Sequence, residues 1–181
     1  MYEVFLFFGE KSLVNAEVGD ITKSRQDAIV NDANSCGVMS YGVSALICNR
    51  GGVEIQDEAK GFCRKNKNIE LGSCFSTQSG KLKRYGTETI YHAVISRTPK
   101  DLASIHFVKK VLNEVLATAV NDGIESIAIP SIGLGGGLDK TVVAMEMARI
   151  AKNFCNKIDI RIIDVDKEFI ENVRKNLLKG N

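Results

Sequence analysis

The chain has 181 residues, of which 44% are hydrophobic and 25% are charged, and its formal net charge at pH 7 is +2. This length suits one domain with its own core, and the composition is that of an ordinary folded protein, which excludes a disordered chain. The small net charge gives no strong signal for nucleic-acid binding. We therefore expect a single domain over residues 1–181, with a function carried by local motifs.

Strands dominate the start of the chain. Residues 2–8 and 12–18 are β-rich runs separated by Gly-Glu-Lys at residues 9–11, which predicts two strands joined by a short turn. The first run contains VFLFF, which is too short for a signal peptide or a membrane span, so we expect no membrane association. A further apolar run at residues 27–31 ends in polar residues and predicts a strand that opens into a loop.

Strands and helices alternate along the rest of the chain. The clearest amphipathic helix spans residues 101–121, and ETIYHAVI at residues 88–95 has the apolar character of a central strand. The other elements that the periodicity predicts are helices at residues 43–50, 53–66, 139–154 and 166–178, a strand and turn at residues 72–80, and strands at residues 127–129 and 158–165. This alternation favours a mixed sheet sandwiched by helices.

Side chains that often mark a chemical site form no convincing constellation. The five cysteines are scattered, and no two have the two-residue spacing of a zinc or redox site, so we expect reduced thiols, a cytoplasmic protein and no metal site. His92 and His106 fall inside a predicted strand and a predicted helix, which favours structural roles. Solvated loops account better than a docking surface for two short basic clusters, which are Arg64, Lys65 and Lys67, and Lys81, Lys83 and Arg84.

A glycine-rich loop follows the predicted strand at residues 127–129. Residues 133–137 hold four glycines in five positions, just before the helix predicted to begin at Asp139. Ligands of open α/β sheets bind outside the carboxyl ends of the strands, and glycine N–H groups beside a helix N-terminus suit a phosphate. The alternative is a tight turn that binds nothing, since neither the dinucleotide fingerprint nor the P-loop pattern is present.

Three separated stretches resemble a known family. They are GDIT at residues 19–22, DAIVNDAN at residues 27–34 and SIAIPSIGLGGG at residues 126–137, and YHAV at residues 91–94 lies between them. Together they resemble the macro domain, the ADP-ribose-binding fold, in its stand-alone prokaryotic or archaeal form. The resemblance implies a three-layer α/β/α sandwich with a mixed central sheet and a ligand across the strand ends, and it implies no cofactor.

The resemblance assigns the adenosine and ribose contacts to a few residues. Asp20 would accept a hydrogen bond from the adenine amino group, with the Ile21 backbone beside the base. Asn34 would bond the distal ribose, and Asn31 would brace its own loop. Without the family, Asp20 is equally suited to capping a helix or a turn.

The same resemblance places the diphosphate between two loops. One loop comprises Tyr41, Gly42 and Val43, and the other comprises Gly133, Leu134, Gly135, Gly136 and Gly137. Both would present backbone N–H groups to the phosphates.

The chain departs from the family pattern at several positions. The first loop has one glycine where two or more are usual, so Tyr41 must swing out or cover the ligand. Hydrolytic members carry an aspartate where this chain has Ser44. The second loop lacks its usual aromatic residue beside the distal ribose, and the last strand offers only Ile163 or Val165 in place of an aromatic residue that stacks on adenine. We therefore expect weak binding or a different preferred ligand.

Two functions from different classes remain open. The first is a module that binds ADP-ribose or an ADP-ribosylated macromolecule. The second is a hydrolase or phosphatase that acts on ADP-ribose 1″-phosphate, O-acetyl-ADP-ribose or ADP-ribosylated macromolecules, with Asn34 and Asp139 as the catalytic candidates. Asp139 also resembles the loop aspartate of a branch that removes ADP-ribose, although it could simply cap its helix. A partner-binding protein that has lost its ligand is a third interpretation, and the oligomeric state is left open.

Overall fold

A computed structural model describes residues 6–7 and 13–179 of the chain. The predicted turn at residues 9–11 and most of the first predicted strand lie outside the described residues. The strands are β1 (Leu6–Phe7), β2 (Leu13–Val18), β3 (Ala28–Asn34), β4 (Cys74–Gln78), β5 (Thr89–Ser96), β6 (Ser126–Ile129) and β7 (Asp159–Asp164). The helices are α1 (Gly42–Gly51), α2 (Val53–Lys65), α3 (Ile105–Asn121), α4 (Lys140–Phe154) and α5 (Lys167–Leu178).

The described strands form one mixed sheet in the order β1-β2-β7-β6-β3-β5-β4. β1 pairs antiparallel with β2, and β4 pairs antiparallel with β5. The four pairings between them, from β2 to β5, are parallel. The mixed sheet expected from the sequence is therefore confirmed, with its parallel strands in the middle and an antiparallel strand at each side.

Helices cover both faces of this sheet. Helices α3, α4 and α5 pack on one face in the largest core cluster, and α1 and α2 contribute to smaller clusters on the other face. Side chains of β6 pack on both faces of the sheet. Ile127 and Ile129 belong to the large cluster, and Ala128 belongs to a smaller cluster on the other face. Strands buried on both faces are continuously apolar, as the sequence of β6 is. The three-layer α/β/α sandwich is confirmed.

Two element boundaries differ from the sequence prediction. The long helix α3 begins at Ile105, because the Asp101 carboxylate accepts the backbone N–H groups of Arg97 and Thr98 at 3.0 and 2.8 Å and holds this segment in a turn. Residues Gly80–Tyr85, expected as a turn and loop, form a 3-10 helix whose Leu82 is fully buried. Among the described helices, none is long and apolar enough to span a membrane.

The topology brings several strand ends together. Because β2, β7, β6, β3 and β5 run parallel, their carboxyl ends meet at one edge of the sheet. The loops that follow these strands contain every stretch that the sequence singled out for binding. A ligand site at this edge is the usual arrangement in α/β sheets.

Candidate functional site

A cavity of about 590 Å³ opens at the carboxyl ends of the parallel strands, and we refer to it as the cleft. It is bounded by the start of α1 on one side and the glycine-rich loop after β6 on the other. The strand ends and loops that line it supply Gly19 and Ile21, residues 32–34, Val38, residues 41–44, Leu46, Ile95, Ser96, Pro99, Asp101, Ala103, Pro130, Ser131, Gly135, Gly136, and residues 163–165.

The structure gathers about half of the predicted site residues around the cleft. Those that line it are Ile21, Asn34, Tyr41, Gly42, Val43, Gly135 and Gly136. Those that lie outside its lining are Asp20, Gly133, Leu134, Gly137 and Asp139. Ile163 and Val165, the candidates for the adenine side, also line the cleft.

The first loop leads directly into helix α1. Tyr41 is the N-cap residue of α1, its side chain is 66% exposed, and no side-chain hydrogen bond caps the helix. Gly42 has a positive φ of 53°, a conformation that suits glycine, and a Cβ added there would meet nothing within 4 Å. Several N–H groups of the first turn of a helix have no partner within the helix. The uncapped end of α1 therefore presents backbone donors at the wall of the cleft.

The second loop is a short 3-10 helix, Leu134–Gly136, between two glycines with positive φ. Gly135 lines the cleft, and a Cβ added to it would meet nothing within 4 Å. At Gly136 an added Cβ would lie 2.6 Å from the Cβ of Ala103 and 2.7 Å from its backbone nitrogen. Glycine is thus required at Gly136 by packing, whereas Gly135 leaves open space that a ligand can enter.

Asn34 has a structural role in its own loop. Its Nδ2 donates to the carbonyl oxygen of Val38 at 2.8 Å, and its Oδ1 accepts the backbone N–H groups of Cys36 and Val38, both at 3.2 Å. The loop-bracing role expected for Asn31 therefore belongs to Asn34. Asn34 also lines the cleft, so the predicted contact with a distal ribose stays a prediction.

Asn31 is part of a buried polar network instead. Its Nδ2 lies 3.1 Å from Nδ1 of His92, and its Oδ1 accepts the hydroxyl of Ser44 at 2.8 Å. The other ring nitrogen of His92 lies 2.9 Å from the hydroxyl of Thr77. Burial lowers the pKa of His92 to about 3, so the imidazole is neutral at physiological pH. The structural role expected for His92 agrees with this network.

Ser44 is the residue for which the resemblance implies an aspartate in hydrolytic members. Its hydroxyl oxygen lies 2.8 Å from each of two acceptors, Oδ1 of Asn31 and the carbonyl oxygen of Asp32. A hydroxyl has a single hydrogen to donate, and here it is directed into the protein. Ser44 therefore joins the start of α1 to the end of β3.

Asp20 precedes a 3-10 helix, Ile21–Lys23, and caps it. Its Oδ1 accepts the backbone N–H of Thr22 at 3.0 Å and the hydroxyl at 2.6 Å, and its Oδ2 lies 3.6 Å from a guanidinium nitrogen of Arg50. The capping alternative weighed from the sequence is therefore present in the structure. Asp20 stands beside the cleft without lining it, since its two chain neighbours form that part of the wall.

Asp139 likewise caps a helix. Its Oδ1 accepts the backbone N–H of Val142 at 2.9 Å at the start of α4. Asp139 lies outside the lining of the cleft, so the structure does not bring it together with Asn34, the other catalytic candidate. The position agrees with the capping alternative.

Asp32 is a cleft residue that sequence reasoning missed. It follows Asn31 at the end of β3, and its Oδ2 accepts the backbone N–H of Gly133 at 2.9 Å. Burial raises the pKa of the Asp32 carboxyl to about 6, and the Gly133 hydrogen bond offsets part of that effect. The signal in the sequence is the acidic residue within the strand-end motif DAIVNDAN.

The charges around the cleft are all of one sign. Asp32, Asp101 and Asp164 line it, and none of the described lining residues is Lys, Arg or His. Asp164 accepts the hydroxyl and the backbone N–H of Ser131 at 2.6 and 3.2 Å. No group of three or more His, Cys, Asp or Glu side chains in the described part of the chain is placed to hold a metal ion. Among the described lining residues, the donors that the cleft offers to an anion are therefore uncharged, and they include backbone N–H groups.

A second depression, which we call the basic pocket, has the opposite charge. It is lined by Asn49, Arg50, Lys81, Arg84 and Tyr85. The guanidinium of Arg84 lies 4.7 Å from the centre of the Tyr85 ring. Lys81 and Arg84, two members of the second basic cluster, are solvent-exposed as expected, but they lie on a 3-10 helix and not in a loop.

Comparisons with known proteins identify a family and structures that share the fold. A family model described as "Macro domain" matches residues 30–147. An uncharacterized protein of Aquifex aeolicus is 35% identical over 84% of this chain and 90% of its own length. A variant of the Oceanobacillus iheyensis macrodomain, solved with ADPR, has a TM-score of 0.85 at 18% identity over 97% of both chains. Thermosipho africanus DarTG in complex with ADP-ribose has a TM-score of 0.78 at 20% identity over 97% of this chain and 48% of the other.

Proposed function

The chain belongs to the macro domain family, and we propose that it binds ADP-ribose, or an ADP-ribosyl group on a macromolecule, in the cleft. The observation that carries this proposal is the uncapped start of α1, which stands across the cleft from the open Gly135 loop. Residues 1–181 form one such domain in this proposal, with a cytoplasmic location. The structures solved with ADPR and with ADP-ribose support the choice of ligand.

The diphosphate would lie between the two loops. Backbone N–H groups at a helix N-terminus, together with the positive end of the helix dipole, favour an anion without any side-chain charge. The absence of a Cβ at Gly42 and Gly135 lets the phosphates approach the chain closely. Tyr41 stands at the rim, where its exposed ring can cover the bound phosphates.

Adenosine would occupy the end of the cleft between β2 and β7. The Ile21 backbone and the buried Ile163 side chain form its wall, and Val165 is 74% exposed beside them. The Asp20 carboxylate would accept the adenine amino group, with Oδ1 already committed to Thr22. Aliphatic contacts replace an aromatic stack here, and a lost stack costs about 1–3 kcal/mol by analogy with nucleic-acid binding. We expect correspondingly modest affinity.

Hydrolysis of ADP-ribose derivatives is the second candidate. The observation that favours it is the position of Asp32 in the cleft, because a carboxyl with a pKa of about 6 is suited to general-base catalysis. Against it, Ser44 supplies no base at the position where hydrolytic relatives have a carboxylate, and Asp139 is engaged at its helix. We expect slow or absent release of ADP-ribose from modified acidic side chains. Rapid turnover that Asp32→Asn abolishes would favour the hydrolase instead.

Calorimetric titration with ADP-ribose, ADP and AMP tests the binding function. We expect one ADP-ribose per chain and much weaker binding of AMP, because AMP lacks the second phosphate that the two loops would hold. Thermal shift provides a second readout, since a ligand that binds only the folded state raises the melting temperature. Absence of any response to millimolar ADP-ribose in both measurements rejects the proposal.

A further inference from the structure

The Asp32 carboxylate is the feature of the cleft that ADP-ribose binding alone leaves unexplained. Its Oδ2 accepts the Gly133 N–H, so it lies directly beneath the loop that would hold a phosphate. Among the described residues none donates a hydrogen bond to its Oδ1, and this oxygen is not one of their buried unpaired atoms, so it is accessible from the cleft. When ionised, this carboxylate places a negative charge, and an oxygen that has no hydrogen-bond donor among the described residues, beside the space that an anionic ligand would enter.

The other titratable groups that face the cleft differ from Asp32. Asp101, in the loop after β5, accepts hydrogen bonds from Thr98 and Arg97 through both oxygens, and the Thr98 hydroxyl and N–H lower its pKa. Asp164, at the end of β7, also has both oxygens bonded, since Oδ1 accepts the Asp166 N–H and Oδ2 accepts Ser131. Tyr41 is at the exposed rim. Asp32 is thus the cleft carboxylate with an oxygen available to a ligand.

In the described part of the chain, no cation lines the cleft to offset this charge. Among the described residues that line the cleft there is no Lys, Arg or His, and Arg50, which lines the neighbouring basic pocket, lies 3.6 Å from Oδ2 of Asp20. A diphosphate and an ionised Asp32 would therefore repel each other at a half-buried position, where charge interactions are screened less than at the exposed surface.

Protonation reverses the role of this side chain. An ionised carboxylate only accepts hydrogen bonds, whereas a protonated one has an O–H to donate, and phosphate oxygens are acceptors. Burial raises the pKa of Asp32 to about 6, so the protonated form is accessible close to neutral pH. The Gly133 N–H can still bond the carbonyl oxygen of the neutral acid.

We infer that Asp32 makes the cleft selective by protonation: the protein takes up one proton on this carboxyl when it binds a diphosphate ligand, and it rejects such ligands increasingly as the pH rises. This inference rests on the proposed function and specifies how the same site is regulated. The affinity for uncharged ligands such as adenosine should not depend on the protonation of Asp32, because these ligands bring no negative charge near it.

The test is calorimetry of the whole chain with ADP-ribose between about pH 5.5 and pH 8.5. ADP-ribose suits the purpose because both of its phosphates are esterified and keep a constant charge over this range. We expect the affinity to fall by up to about tenfold for each pH unit above the Asp32 pKa, as the uptake of one proton requires. Titrations at about pH 7.5 in buffers of different ionisation enthalpy should show uptake of between about half a proton and one proton per ADP-ribose.

Variants and a second ligand separate this effect from other causes. Asp32→Asn keeps an acceptor for Gly133 and a donor towards the cleft, so its affinity should be nearly independent of pH and should exceed that of the wild type at about pH 8. Asp101→Asn removes another cleft carboxylate and should keep the pH slope of the wild type. Binding of adenosine by the wild type should show no slope.

Different results would overturn the inference about Asp32 and the proposed binding function. Wild-type binding of ADP-ribose with a flat pH profile and no proton uptake overturns the role of Asp32 and leaves the binding function standing. A slope that persists in folded Asp32→Asn overturns it as well. If Asp32→Asn fails to fold, the proton uptake of the wild type and the slope in Asp101→Asn decide the matter. No binding of ADP-ribose at any pH, by either the wild type or Asp32→Asn, overturns both proposals.

Discussion

The cleft and the basic pocket carry opposite charge, and the Asp20–Arg50 ion pair links a residue beside the cleft to one that lines the basic pocket. The cleft has three lining carboxylates and, among the described residues, no lining cation, whereas the basic pocket has Arg50, Lys81 and Arg84. Side-chain charge alone would assign an anionic ligand to the basic pocket. The proposed function nevertheless assigns the diphosphate to the cleft, because the uncapped start of α1 and the Gly135 loop line it, while exposed cations are mobile, hydrated and screened by salt.

Adding a charge to each region is the strongest test of this difference. Gly135→Glu places a carboxylate in the open space of the cleft and should weaken ADP-ribose binding by about 100-fold or more, since repulsion of about 1–3 kcal/mol adds to the steric loss. Lys81→Glu changes the charge of the basic pocket by two units and should alter the affinity by less than about twofold. Calorimetry measures both, with circular dichroism to confirm folding. Equal losses in the two variants would show that long-range charge controls binding.

The adjacent glycines Gly135 and Gly136 provide a second test. It distinguishes a glycine required by packing from a glycine that leaves space for a ligand. Gly136→Ala should lower the free energy of unfolding by about 1–3 kcal/mol, because its Cβ would overlap the backbone and side chain of Ala103. Gly135→Ala should change it by less than about 0.5 kcal/mol, since its Cβ meets nothing. Urea denaturation compares the two. Equal stability would mean that the loop is not held against the segment after β5.

The half-buried Asp32 carboxyl of the cleft should also affect folding. The folded-state pKa of Asp32 is raised from 3.8 to about 6, so ionising it destabilises the native state, and this destabilisation is absent below about pH 4 and complete above about pH 6. Asp32→Asn should therefore raise the free energy of unfolding by about 1–3 kcal/mol at pH 7.5 and by nearly nothing at pH 4. Urea denaturation at the two pH values checks the sign. A destabilised variant at pH 7.5 would mean that the ionised carboxylate stabilises the fold.

Asp20 lies beside the cleft and pairs with Arg50 of the basic pocket, and its substitution should have a smaller effect on ADP-ribose binding. Asp20→Asn keeps a good N-cap for the 3-10 helix but turns an amide towards the adenine amino group, so ADP-ribose binding should weaken by about tenfold and remain measurable. Unchanged affinity in this variant would show that Asp20 serves only as a cap.

The smallest effect is expected for neutral changes in the basic pocket. Arg84→Gln removes a cation that lies over the Tyr85 ring and should change the affinity for ADP-ribose by less than about twofold. Calorimetry at low and moderate salt checks this. A salt-dependent loss of ADP-ribose affinity would mean that the basic pocket contributes to the ligand site.

Much of this fold was predictable because its signals are local. The apolar spacing of α4 and of α2, and the short apolar runs of β5 and β6, report which faces are buried, and the helices and strands formed within a few residues of the predicted ends. The start of α3 was predicted four residues early, because the Asp101 turn depends on contacts with Arg97 and Thr98 that periodicity does not record. The resemblance of three short stretches was sufficient for the family and the sandwich.

The sequence by itself determined the element order, the mixed sheet, the family and the two glycine-containing loops, because each depends on residues close together in the chain. Only the tertiary structure decided which hydrogen-bond partners each polar residue has. Asn34 braces its loop, Asn31 bonds His92, Asp139 caps α4, and Asp32 is left with an oxygen free among the described residues. The physical reason is that a polar side chain bonds whatever donor or acceptor the fold brings near it. The Gly133 N–H that reaches Asp32 lies 101 positions away in the chain.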